Sequence, residues 1–140
     1  MVANGTEWSG WSREQDIPRA LEEVGVLSAD STKREGHFWV EFVPSRKSNT
    51  SGLTVHAALL GFGVKSKPFD GDNRGVTLEH DFIVLTHQQQ SFRLSRGLLT
   101  ADFEINVKKA VRAEKYAVAF WVTPEGEAKP LQATGGFIQL

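Results

Sequence analysis

The strongest constraint on the fold is a strict alternation of apolar and polar residues that begins at residue 99. Apolar side chains occupy every second position, with polar side chains between them: Leu99, Ala101, Phe103, Ile105 and Val107 against Thr100, Asp102, Glu104, Asn106 and Lys108. Successive side chains of a β-strand point to opposite faces, so this period predicts a strand that is buried on one face only. Such a strand needs a second layer to cover its apolar face.

A second alternating segment at residues 116–122 predicts the neighbouring strand. Its apolar face consists of Tyr116, Val118, Phe120 and Val122, while Trp121 lies on the opposite face. Tyr116 stands two residues before an inward-facing position, as the tyrosine corner of immunoglobulin-like domains does. The last third of the chain therefore resembles the final strand pair of that sandwich. The cysteines of the antibody signature are absent, and a likeness of fold implies no function.

Further strand patterns precede this pair. Residues 37–44 place Phe38, Val40 and Phe42 on one face, so that Trp39 points outward or into a second contact. Pro44 ends the strand because it has no N–H to donate.

The middle of the chain adds two more predicted strands. Residues 53–64 are the most apolar run and predict a central strand, and residues 76–88 predict a long strand with a bulge or a change of sheet partner near Ile83. Residues 88–91 are interpreted as a polar turn. The pattern indicates an all-β, antiparallel β-sandwich, immunoglobulin-like or jelly-roll, of six to eight strands.

The N-terminal part differs in character. Residues 16–25 predict one short helix, with Asp16 as its N-cap and Gly25 as its stop. Residues 28–36 are interpreted as a polar linker. We therefore expect an N-terminal arm and short helix over residues 1–35 and a β-sandwich domain over residues 36–140.

The composition excludes several classes of function. The chain has no cysteine, so thiolate metal sites and cysteine nucleophiles are excluded. A formal net charge of −1 gives no overall attraction to nucleic acid or membrane. Residues 1–10 lack the pattern of a signal peptide, and no apolar stretch is long enough for a transmembrane helix. The default expectation is a cytoplasmic or virion protein.

No catalytic or metal-binding motif stands out, and we expect no enzyme, no metal site and no cofactor. The histidines lie far apart in sequence, although His56 can meet His80 or His87 across neighbouring strands. A small β-barrel enzyme that uses these histidines with Glu79 or Asp81 is kept as a second alternative, because paired titratable groups serve acid–base chemistry.

The tryptophans are the best candidates for function, because indole is enriched in protein interfaces. We expect Trp8, Trp11, Trp39 and Trp121, with Glu41, to bind a partner. The leading hypothesis is a non-catalytic binding or assembly module in a homo-oligomer or a larger structural assembly. The alternative is a carbohydrate-binding module, in which Trp39 or Trp121 stacks on a sugar beside Glu41 or the amides of residues 88–90.

A basic patch is the last candidate. Lys108, Lys109, Arg112 and Lys115 cluster between the two alternating strands. No aromatic residue lies among residues 108–115, so stacking on single-stranded nucleic acid is not indicated. The partner is expected to be the chain itself or another protein, with carbohydrate as the alternative; nucleic acid and membrane are not expected.

Overall fold

The computed structural model describes residues 2–3, 6–7, 24–45, 50–66 and 75–139. Within these ranges there is no α-helix, and twelve strands are present: β1 (Val2–Ala3), β2 (Thr6–Glu7), β3 (Gly25–Ser31), β4 (His37–Pro44), β5 (Leu53–Phe62), β6 (Val64–Ser66), β7 (Leu78–His80), β8 (Ile83–Ser91), β9 (Arg93–Ser95), β10 (Leu98–Glu104), β11 (Lys115–Pro124) and β12 (Gln132–Ile138). The prediction of an all-β, antiparallel fold is confirmed for the described residues.

Eight of these strands form two antiparallel sheets of four. The first sheet has the order β3-β4-β10-β9, and the second has the order β12-β11-β5-β8. The chain leaves the second sheet and enters the first at Phe92, which lies between β8 and β9. Two small sheets, β1–β2 and β6–β7, complete the described part.

The two four-stranded sheets share one buried core. Phe120 of the second sheet is 1% exposed, and its ring centroid lies 5.6 Å from that of Phe38 and 5.8 Å from that of Phe103, both in the first sheet. Val40 and Val122 are 0% exposed. The predicted inward faces of β4, β10 and β11 are therefore confirmed.

The tyrosine near the start of β11 makes the backbone contacts of a tyrosine corner. The hydroxyl of Tyr116 donates to the carbonyl oxygen of Val111 at 3.1 Å and accepts from the N–H of Ala113 at 3.0 Å. These two bonds fix the loop that leads into β11.

The glutamines of β8 close one edge of the core. β9 pairs with β10 only at residues 98–100, so within the described ranges no strand pairs with the rest of that edge of β10. The side-chain amides of Gln88 and Gln90 donate to the carbonyl oxygens of Glu104 and Asp102, at 2.8 and 2.6 Å. The interpretation of residues 88–91 as a turn is wrong, because β8 continues to Ser91.

The predicted long strand at residues 76–88 is interrupted. β7 pairs with β6 and β8 pairs with β5, so the change of partner expected near Ile83 is confirmed. The break falls at Phe82, whose φ of 56° lies in the left-handed region. A register shift opposite Leu59 and Leu60 adds a bulge within β8.

The N-terminal predictions need correction in part. Residues 28–31 are not a linker, because β3 pairs with β4 from Gly25 to Ser31. Gly25 is the first residue of this strand. Residues 16–23 of the predicted short N-terminal helix lie outside the described residues and have no support. The division of the chain at residue 36 stays a prediction.

Candidate functional site

The outer face of the second sheet is a large surface almost without charge, which we call the uncharged face. Its residues alternate with the inward-facing ones on four adjacent strands: Ala133, Gly135 and Phe137 on β12; Ala117, Ala119, Trp121 and Thr123 on β11; Thr54, His56, Ala58, Leu60 and Phe62 on β5; Val84, His87, Gln89 and Ser91 on β8. Among these described residues none is Asp, Glu, Lys or Arg. Of these, Ala58, Ala117 and Thr123 are buried beneath their larger neighbours. Lys115, which pairs with Phe62, stands at one end.

The centre of this face carries a cluster of three aromatic rings, the Trp–His cluster of Trp121, His56 and His87. The Nδ1 atom of His56 lies 3.0 Å from the Nε2 atom of His87, and the two rings are 6° from parallel. The Trp121 ring is 3° from parallel with His56 and 9° from parallel with His87, at centroid distances of 5.0 and 5.5 Å. The indole therefore stacks against a hydrogen-bonded histidine pair.

Strand register explains why these rings meet. Trp121 lies directly opposite His56 on β5, and His87 on β8 pairs with Ala58, two residues further along. Side chains at diagonal positions on adjacent strands are within reach of each other when they are long or aromatic.

His56 has a lowered pKa because burial disfavours its charged form and because His87 adds charge repulsion. Its Nε2 atom lies 2.9 Å from the Thr123 hydroxyl. Neither imidazole has a hydrogen bond to a carboxylate among the described residues. One imidazole therefore donates an N–H to the other within the pair. No carboxylate in the described part of the chain supports a charged imidazole there, as one does beside many catalytic histidines.

The other end of the uncharged face carries three phenylalanines, the phenylalanine ridge of Phe62, Phe82 and Phe137. The ring centroid of Phe62 lies 4.5 Å from that of Phe82 and 5.2 Å from that of Phe137. Phe82 is 72% exposed and Phe137 is 68% exposed. Exposed apolar side chains that contact one another are typical of an interaction surface.

A row of small residues separates the ridge from the Trp–His cluster. Gly135, Ala119 and Ala58 lie side by side across β12, β11 and β5. These side chains are shorter than the aromatic rings on either side of the row, and Ala58 is only 2% exposed. The row is therefore the recessed part of the face.

The outer face of the first sheet is acidic around Trp39. The indole is 42% exposed, and its N–H donates to the carboxylate of Glu41 at 2.9 Å. Asp30 on β3 and Asp102 on β10 are its direct neighbours in register. The two sheets thus present opposite surfaces, one acidic with a fixed indole and one without charge.

The remaining candidate residues are spread over the molecule. The Nε2 atom of His80 and the Ser66 hydroxyl share a hydrogen bond of 2.8 Å. The carboxylate of Asp81 accepts a hydrogen bond from the N–H of Gly63. Exposed Glu79 pairs in register with Lys65. The structure therefore brings His56 to His87 and leaves the other members of the proposed enzyme site with separate partners.

The basic patch lies at a short 3₁₀ turn, Val107–Lys109, and in the loop before β11. Lys108 forms an exposed ion pair with Glu35 at 3.2 Å, which contributes little to stability. Lys109, Arg112 and Lys115 are exposed as well. Trp8 and Trp11 lie outside the described residues.

A groove of about 810 Å³ opens between β3 and β12. It arises because the inward positions of these two edge strands carry small residues: Ala29, Ser31, Thr134 and Gly136. Phe38 and Phe120 form part of its floor. Its charged lining residues balance in sign: Asp30, Glu35 and Glu104 against Lys33, Arg34 and Lys108. The groove thus offers apolar contact without an electrostatic preference.

The ridge was missed at the sequence level because its members come from three distant segments. The alternation in β5 places Phe62 outward, but no pattern pairs it with Phe82 or Phe137. The left-handed conformation of Phe82, which carries its ring to the surface, has no signature in the sequence.

Comparison with protein-family models, with curated proteins and with solved structures found no match to this chain. Among the described residues, no three side chains of the metal-ligating types come together as an ion site. In the same part of the chain, no helix has the length and apolar character needed to cross a membrane.

Proposed function

We propose that the protein is a non-catalytic, immunoglobulin-like β-sandwich that assembles with a second copy of itself through the uncharged face. The observation that carries the proposal is this face: the outer side of four adjacent strands carries no charged residue apart from Lys115 at one end, and it bears exposed phenylalanines that contact one another. Charged residues are depleted and aromatic residues are enriched at the centres of protein interfaces.

The immunoglobulin-like assignment rests on strand order. In their order across the sheets, β3, β4, β10 and β9 take the places of strands A, B, E and D, and β12, β11 and β5 take those of G, F and C. β8 then corresponds to strand C′, which extends the second sheet before the chain crosses over. The hydroxyl bonds of Tyr116 add the expected corner on the strand that corresponds to F.

A second copy is the partner that fits this face best. A surface without charge attracts neither nucleic acid nor an anionic membrane by long-range forces. It favours an equally uncharged partner surface, because burying an unpaired charge against it is unfavourable. The same face of another copy meets this requirement.

The relief of the face also suits a two-fold arrangement. In an isologous interface the same patch serves both copies, so a raised part of one must meet a recessed part of the other. A two-fold axis perpendicular to the face can set the phenylalanine ridge of each copy over the row of Gly135, Ala119 and Ala58 of its partner.

The variant Phe137→Ser tests this interface. We expect the wild type to dimerise and the variant to dissociate at least about 30-fold more readily, which corresponds to an interface hot spot of about 2 kcal/mol. The side chain is 68% exposed, so folding should be retained. Sedimentation equilibrium over a range of concentrations measures the dissociation constant.

Leu94→Ser is the matched control. Leu94 is 77% exposed on β9 of the first sheet, so this change also removes a large exposed apolar side chain, far from the face. Its dissociation constant should equal that of the wild type. A wild type that remains monomeric at the highest concentration contradicts the proposed function.

A specific observation favours carbohydrate binding as a second candidate function. The hydrogen bond to Glu41 fixes the exposed indole of Trp39, and carboxylates flank it on both sides. An aromatic ring beside polar side chains is the usual platform for a sugar, because the ring stacks on C–H groups while the carboxylates accept from hydroxyls. The amides of Gln88 and Gln90 are bonded to β10 and do not contribute.

Titration with oligosaccharides, followed by tryptophan fluorescence, tests this second function. We expect a saturable change in the wild type that Trp39→Ala abolishes and Trp121→Phe leaves in place. A glycan array without binding, or a response that survives Trp39→Ala, rejects the platform.

A further inference from the structure

We propose that the His56–His87 pair makes self-association dependent on pH, so that the dimer forms near neutral pH and separates in mild acid. This inference rests on the proposed function, because the pair lies within the uncharged face. The pair adds a dependence on pH that the interface alone does not require.

The geometry explains why the pair accepts one proton and resists a second. The His56 Nδ1 and His87 Nε2 atoms face each other at 3.0 Å, so one of them must carry a hydrogen and the other a lone pair. The Nε2 atom of His56 is engaged with the Thr123 hydroxyl. When both imidazoles are fully protonated, two N–H groups point at each other and the contact cannot persist.

The surroundings offer no compensation for the added charge. The described residues that face the pair are uncharged on every neighbouring strand: Trp121 and Thr123 on β11, Thr54 on β5, Gln89 and Ser91 on β8, and Ala133 on β12. Charged residues stand only at the two ends of β11 along this face: Glu125, two positions beyond Thr123, and Lys115, opposite Phe62. Neither forms a hydrogen bond with the pair among the described residues. A two-fold interface doubles the repulsion, because each copy brings its own pair.

The lowered pKa of His56 agrees in direction with this argument. Because the folded chain holds this proton less tightly than the unfolded chain, the unfolded state binds more protons just below the ordinary value of 6.5. The contribution of neutral His56 to the free energy of unfolding is therefore complete above pH 6.5. It is lost as the pH falls through the lowered pKa of His56 in the folded chain. Burial in a dimer strengthens the desolvation that causes the shift.

The test compares dissociation constants at about pH 8 and about pH 5, a range that titrates histidine. We expect the wild-type dimer to weaken at least tenfold in acid. His87→Gln keeps a hydrogen-bonding amide but cannot be protonated, so its dimer should weaken much less. The control is His80→Gln, on β7 and bonded to Ser66, which should behave as the wild type does.

A second measurement detects protonation of the His56–His87 pair in a monomeric variant, where the dimer interface does not contribute. Trp121 fluorescence is measured in the monomeric Phe137→Ser variant with Trp8→Phe, Trp11→Phe and Trp39→Phe. We expect an acid-induced change, because the stacked imidazoles become charged, and we expect His87→Gln to remove most of it. A fluorescence signal that does not change with pH overturns the proposal.

The failures of the two proposals are distinguishable. A dimer whose dissociation constant is the same at both pH values rejects the pH dependence and leaves self-association in place. An acid response that persists unchanged in His87→Gln assigns the effect to another group and also rejects it. A wild type that is monomeric at about pH 8 rejects the interface itself, and the pH-dependent assembly with it.

Discussion

The variant Phe120→Ala is expected to lose about 3–5 kcal/mol of unfolding free energy, the usual range for a fully buried phenylalanine. Its ring is 1% exposed and contacts Phe38 and Phe103 of the opposite sheet. Truncation removes the apolar burial of the ring and leaves a cavity at the point where the two sheets meet. The loss should appear in urea unfolding as a lower midpoint with an unchanged slope.

The matched control is Phe137→Ala, which makes the same chemical change on β12 of the same sheet. That side chain is 68% exposed, so in the monomer the free energy of unfolding should change by no more than about 0.5 kcal/mol. If both variants lose the same amount, Phe120 does not hold the sheets together. The measurement is made at a concentration where the chain is monomeric.

The alternation of residues was sufficient to predict the faces of the main strands. In β4, β10 and β11 the large apolar side chains lie mainly on one side, so Phe38, Phe103 and Phe120 could be placed correctly from the period of two. The same reasoning pointed Trp39 outward, and it is 42% exposed. These predictions needed no knowledge of which strands pair.

The predictions that failed depended on tertiary contacts. The run of glutamines at residues 88–90 has the polarity of a turn, yet these residues belong to β8 because they pair with residues 55–57 of β5. The amides of Gln88 and Gln90 also bond to carbonyl oxygens of β10. β3 has little apolar character beyond Leu27, and its pairing with β4 determines its structure. Partners that are distant in sequence outweighed the local composition in both places.

The candidate site could be predicted only in pieces. Trp121 and the two histidines were each visible as residues of interest, but their meeting depends on the register of β11, β5 and β8. The phenylalanine ridge depends also on the turn at Phe82. Strand register therefore decides which outward side chains become a surface.

Gly25, which the sequence predicted as the stop of a helix, is the first residue of β3. Its φ of +139° lies in the range that favours glycine. The backbone is close on one side: an added Cβ would lie 2.5 Å from the carbonyl oxygen of Val43 and 2.8 Å from the Cα of Pro44. Neither of these backbone atoms can move independently of the β3–β4 pairing.

The variant Gly25→Ala should therefore lose about 2–5 kcal/mol of unfolding free energy, from about 1–2 kcal/mol of backbone strain and about 1–3 kcal/mol of overpacking. Gly97→Ala separates the two contributions. Gly97 has a φ of +77° and no atom within 4 Å of an added Cβ, so only the strain applies there. Urea unfolding of both variants measures the difference. Equal losses would mean that the start of β3 is free to move away from β4, and that the first sheet begins later in the chain.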